Sequence, residues 1–82
     1  MGLGMKIGKI TKYPIEILKS DLWGFINHDG SILVEPKYSD TRTFKENYCA
    51  VKAKNKWGLI DIQGKEVITP KYLKFKSGSL IK

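Results

Sequence analysis

Residues 49–72 fall into short runs of alternating apolar and polar side chains, broken by turn-formers, and residues 15–38 repeat the same rhythm. Cys49-Ala50-Val51-Lys52-Ala53 alternates with the two-residue period of a half-buried strand. Lys54-Asn55 is then a tight hairpin turn, because asparagine tolerates positive φ. Lys56 to Ile62 is a second strand, and Asp61-Ile62-Gln63-Gly64 is a type I turn with a bulge, its glycine left-handed. Lys65 to Thr69 is the third strand, and Pro70, which has no N–H, ends its pairing. The earlier copy reads alike: strand Ile15–Leu18, turn Ser20-Asp21, strand Leu22–Asn27, turn Asp29-Gly30, strand Ser31–Glu35, stop at Pro36. No stretch carries the i, i+3, i+4 spacing of a sizeable helix, and the linker "SDTRTFKEN" makes one helical turn at most.

The two copies lie 34 residues apart and share a phrase, "LWGFINHDGSILVEPKY" at 22–38 and "KWGLIDIQGKEVITPKY" at 56–72. Identities fall at Trp23/Trp57, Gly24/Gly58, Ile26/Ile60, Gly30/Gly64, Pro36/Pro70, Lys37/Lys71 and Tyr38/Tyr72. Turn-formers and aromatics are what a fold unit must keep constant, so the phrase is a structural unit. Side chains of successive strand residues point to opposite faces, so Gly58 does not share a face with Trp57; its bare backbone leaves room for a large ring from a neighbour. Each tryptophan is expected in a core seam near Tyr38 or Tyr72. One three-stranded sheet with a single apolar face is marginal alone, so the copies must cover each other.

This phrase closely resembles the WG, or KWG, repeat of bacterial β-repeat proteins, whose pattern runs K-W-G-x-I-D-x-x-G-x-x-V-I-x-P-x-Y-D and then F-x-E-G-x-A-x-V into the next copy. The resemblance covers residues 13–75. The linker phrase is present as Phe44-Lys45-Glu46-Asn47-Tyr48-Cys49-Ala50-Val51, with Asn47 where the family prefers glycine. Copy one departs with Leu22 for lysine and Asn27 for aspartate. "FKSGSLIK" looks like a shortened start of a third unit. The resemblance implies an all-β array used as a non-catalytic interaction module, and it brings no catalytic residues.

The expected architecture is therefore all-β: two tandem three-stranded antiparallel units forming one small twisted sheet, a sandwich or a partial barrel. Residues 1–82 are read as a single domain. Residues 1–12 supply an N-terminal capping strand, 13–43 the first repeat, 44–75 the second and 76–82 a C-terminal capping strand. Met5–Ile10 and Ser79–Ile81 are the capping candidates; they pair with each other or with a second chain, which makes a homodimer an open alternative.

Composition narrows the function. Eighty-two residues bury only about 60–65% of the unfolded surface, which leaves little room for a deep cavity. The chain is 41% apolar and its longest apolar runs are three residues, so it is read as globular, with no membrane span and no signal peptide. The single cysteine, Cys49, excludes an intramolecular disulfide and suits a reducing cytoplasm. Net charge is +7, and fourteen of the fifteen cations are lysine, with Arg42 alone. That charge draws polyanions, yet base readout favours the arginine fork, and a lysine-rich surface serves solubility equally well.

Candidate chemistry is thin. His28 is the only histidine and sits in a turn; Cys49 takes the place of Ile15 in copy one and reads as core. Asp61 takes the place of Asn27, so it caps a turn by hydrogen bonding. No catalytic residue, metal site or cofactor is expected, and the chain is read as no enzyme. The candidate binding face is basic. Lys52, Lys54 and Lys56 share parity opposite Cys49, Val51 and Ala53 and form an outer lysine stripe, while Lys37, Lys71, Lys74 and Lys76 gather at the Pro-Lys-Tyr corners. Beside exposed Tyr13, Tyr38, Tyr48 or Tyr72 these lysines would hold a single-stranded nucleic acid. The leading expectation is protein binding, as a small inhibitor or adaptor such as a bacterial mobile-element or phage protein blocking a host enzyme; the alternative is a nucleic-acid-binding module.

Overall fold

The computed structural model describes residues 13–82. The expected capping strand at 1–12 lies outside them. Among the described residues nine strands follow one another: β1 (Ile15–Lys19), β2 (Leu22–Ile26), β3 (Ile32–Tyr38), β4 (Asp40–Thr41), β5 (Tyr48–Ala53), β6 (Lys56–Asp61), β7 (Glu66–Tyr72), β8 (Lys74–Lys76) and β9 (Ser79–Ile81). Every pairing is antiparallel, and no helix forms among the described residues.

Three separate hydrogen-bonded sheets result, in the orders β1-β2-β3, β4-β5-β6-β7 and β8-β9. The units stack rather than extend one sheet, and no barrel closes among the described residues. The chain passes from β3 to β4 through the single residue Ser39, whose N–H donates to the Lys52 carbonyl at 2.8 Å. The linker, expected to make one helical turn at most, is thus partly a strand. Asp40 and Thr41 pair with Lys52 and Val51, which ties the first unit to the edge of the second sheet.

Turn chemistry repeats with the sequence. Four hairpins turn on two residues of positive φ, namely Ser20-Asp21, Glu46-Asn47, Lys54-Asn55 and Ser77-Gly78. This is the mirror-image turn whose twist suits flanking antiparallel strands. Glu46-Asn47 and Ser77-Gly78 follow Phe44-Lys45 and Phe75-Lys76, so β8 and β9 repeat the start of the second unit. The β2–β3 and β6–β7 turns close with Gly30 N–H to the Asn27 carbonyl (2.9 Å) and Gly64 N–H to the Asp61 carbonyl (3.0 Å), both glycines at positive φ. Asp61 Oδ1 also accepts from the Gln63 and Lys65 N–H groups, the capping role expected of it.

The prolines do not stop their strands. β3 runs through Pro36 and β7 through Pro70. Trp23 pairs with Tyr38 and Phe25 with Val34, so three residues of β3 lie opposite Gly24 alone; Thr69, Pro70 and Lys71 lie likewise opposite Gly58. The missing proline N–H falls inside a bulge, where no ladder bond is lost. The glycine, in turn, makes room for bulged backbone rather than for an aromatic ring. A Cβ on Gly24 would meet the Val34 carbonyl oxygen and lie 2.7 Å from Pro36 N.

The core lies between the units. Phe25, Val34 and Tyr38 of the first unit face Cys49, Val51 and Ile60 of the second, and Trp23, Leu33, Phe44 and Ala53 pack around them. Phe44 meets Phe25 edge-on at 5.5 Å and stacks on Tyr13 at 5.3 Å. The Tyr38 hydroxyl donates to Glu66 Oε2 at 2.5 Å, latching one unit to the other.

Candidate functional site: the unit faces and their lysines

Directly opposed residues of an antiparallel pair share a face. Lys52 pairs with Trp57 and Trp57 with Tyr72, so these three form one row; Ala53 pairs with Lys56 on the other face. The lysine stripe expected from parity therefore does not form. Lys54 is an exposed turn residue, and the two-residue turn places Lys56 opposite Ala53 rather than in line with Lys52. Parity along one strand does not carry across a hairpin turn.

Lys37, Lys71 and Lys82 stand close to rings. Lys37 Nζ lies 5.4 Å from the Tyr38 ring and Lys71 Nζ 5.8 Å from that of Tyr72, the same corner in both copies. Lys82 reaches Tyr72 from β9's end at 5.9 Å. Lys74 and Lys76 are exposed on β8. Trp57 is 5% exposed, with Lys52 Nζ at 5.8 Å and the Arg42 guanidinium at 4.6 Å. Arg42 also bonds Asp40 at 3.2 Å. Sequence reasoning missed this arginine's place; a lone guanidinium in a lysine-dominated chain was the available signal. The tryptophans occupy the same ladder position, but Trp23 pairs with Leu18 and Tyr38 where Trp57 meets Lys52, Tyr72 and Phe75.

Two shallow grooves run along the unit junctions. One, of about 280 Å³, is lined by Tyr13, Pro14, Glu16, Thr43 and Phe44. The other, of about 230 Å³, includes Tyr48, Ala50, Leu59 and Phe75. Tyr48 and Ala50 stand 34 residues after Pro14 and Glu16, so the groove recurs with the unit.

His28 is exposed, with Nε2 2.9 Å from the Tyr13 carbonyl, so that nitrogen holds the proton. Cys49 is buried, and its thiol donates to the Arg42 carbonyl at 2.9 Å. Burial, and then the Glu16 carboxylate, push its pKa up to about 12. Burial and the Glu66 bond raise Tyr38 far above the usual phenol range. Both folded values exceed their unfolded values of 9.0 and 10.0, so the stability these groups contribute is complete below pH 9 and is lost as pH rises beyond it. The urea midpoint is therefore expected to hold between pH 7 and about 8.5 and to fall above about 9. Cys49→Ala should delay that fall toward pH 10; an unchanged curve would contradict the buried-thiol account.

Repeated short strands, mirror-image hairpins and a core made between successive units define the class: a tandem β-repeat protein. The family model described as "WG containing repeat" matches residues 23–57 and 57–72, and the chain belongs to that family. No curated protein and no solved structure matches it. No helix among the described residues is long and apolar enough to cross a membrane.

Proposed function

We propose that this chain is a non-catalytic protein-binding module that acts as a small inhibitor or adaptor through its sheet faces. One observation carries the reading: large apolar side chains stand out on the faces of the unit stack. Ile15, Leu18, Ile32, Val67 and Leu73 are 42–56% exposed, and Ile15 and Ile32 flank Ile26 in one cross-strand row. Grouped apolar surface of this kind marks an interaction site.

The lysines support a nucleic-acid reading, and residues 44–82 hold nine lysines against three carboxylates. That reading also needs free aromatic faces; Tyr38 is 1% exposed, Tyr13 and Tyr72 are half-buried, and Tyr48 alone of the four tyrosines stands out, at 47%. Salt titration separates the two. A nucleic-acid complex loses affinity steeply between about 50 and 200 mM salt, whereas a protein contact with an apolar centre changes far less. A pull-down from the cell of origin with nuclease added is expected to retain one dominant protein. Loss of all bound material to nuclease, with a steep salt slope, would overturn the protein-binding reading.

A further inference from the structure

Each residue of the first unit has a counterpart 34 positions along, so the burial of like residues can be compared. The back of the first unit, Phe25, Val34 and Tyr38, is 0, 6 and 1% exposed because it lies on the front of the second, Cys49, Val51 and Ile60, which is 1, 0 and 0% exposed. The front of the first unit has no such cover from the described residues. Ile15, the counterpart of Cys49, is 42% exposed, Ile17 and Ile26 are only half-buried, and Ile32 is 50% exposed. The turn glycines show the same contrast. A Cβ on Gly64 would lie 2.8 Å from Val34 Cγ2 and 3.0 Å from Leu33 Cγ, while one on Gly30 would have nothing within 4 Å. At the opposite end Val67, the counterpart of Leu33, is 44% exposed, and Ile68 and Tyr72 are half-buried where Val34 and Tyr38 are buried. Among the described residues, the front half of an interface the chain has already built internally is thus open and the back half is only partly covered, by β8 and β9.

We propose that the chain associates with itself head to tail, the Val67-Ile68-Tyr72 back of one copy seating on the Ile15-Gly30-Ile32 front of the next. This rests on the protein-binding reading and names a second copy as the partner. Within the described residues the charges favour it: residues 13–43 carry three cations and five carboxylates and residues 44–82 nine cations and three carboxylates, while Lys6, Lys9 and Lys12 lie outside the described residues. The contact is heterologous, so it leaves a free face at each end and closes into a ring or grows into a chain.

Two features set it apart from the internal interface. Ile32 stands where Glu66 does, so Tyr72 finds no matching carboxylate on the incoming face. Leu80–Lys82 repeat Cys49–Val51 and hold the place that the incoming Ile15–Ile17 takes; β9, paired to β8 alone, yields it when copies join.

The test is sedimentation velocity on the full chain at rising concentration, with Ile32→Asp blocking the front and Val67→Asp the back. The wild type should gain average mass with concentration, and each variant alone should associate at least about tenfold more weakly. An equimolar mixture should restore a dimer and nothing larger, because each partner keeps one intact face. Circular dichroism checks the folds, and Ile32→Ser with Val67→Ser serves as the milder pair if either aspartate variant loses its sheet signal. A wild type still monomeric at about 1 mM, a single variant that dimerises as well as wild type, or a mixture that fails to pair would each overturn the proposal. If nuclease-resistant capture of another protein persists after such a result, the protein-binding reading stands and only self-association falls.

Discussion

Gly24→Ala and Gly58→Ala are each expected to cost about 3–5 kcal/mol and, in so small a fold, to leave much of the population unfolded. The cause is space. A methyl on Gly58 would meet the Ile68 carbonyl oxygen and lie 2.7 Å from Pro70 N and 2.9 Å from the Thr69 carbonyl carbon, all backbone of the bulge. Gly24 faces Val34, Pro36 and Glu35 in the same way. Backbone held by ladder pairs on both sides cannot swing away as the tip of a long side chain can. Gly30→Ala is the control. Its methyl meets open space but its φ is +91°, so the cost is conformational, about 1 kcal/mol. Urea denaturation ranks the three. A Gly24→Ala protein within about 1 kcal/mol of wild type would refute the bulge account.

The second large effect separates two identical residues. Tyr38→Ala is expected to cost about 3–5 kcal/mol and Tyr72→Ala about 1–2. Tyr38 is 1% exposed and donates to Glu66, whereas Tyr72 is half-buried beside Lys71 and Lys82. Tyr38→Phe should cost about 1–2 kcal/mol by leaving the Glu66 carboxylate without its donor, and Glu66→Gln, which keeps an acceptor, should cost less. Equal losses at the two tyrosines would mean that the stacking of units does not decide their burial.

Most of the strand plan was legible because it rests on local chemistry. The strand over Cys49–Ala53, the positive φ of Asn55 and the left-handed Gly64 each follow from a few adjacent residues, although Ala50, expected on an outer face, is buried like Cys49 and Val51 on either side of it. Errors came where pairing partners mattered. Pro36 and Pro70 read as stops because a proline on a regular ladder is one; only the register shows the bulge that shelters them. Strand β4 was hidden because Asp40-Thr41 is short and polar and exists by pairing with β5. The basic face was legible as composition and not as geometry. Lys54 sits in a turn, Lys52 and Lys56 lie on opposite faces, and Arg42 reaches Trp57 from within the linker.

By itself the sequence determined the unit: its strands, its turns and the need for a neighbour, since these follow from side-chain period and backbone preference within about 25 residues. The tertiary structure alone decided which member of each repeated pair is covered. Tyr38 and Tyr72, or Gly64 and Gly30, are the same residue in the same local frame, and burial depends on what stacks above them, which no local pattern encodes.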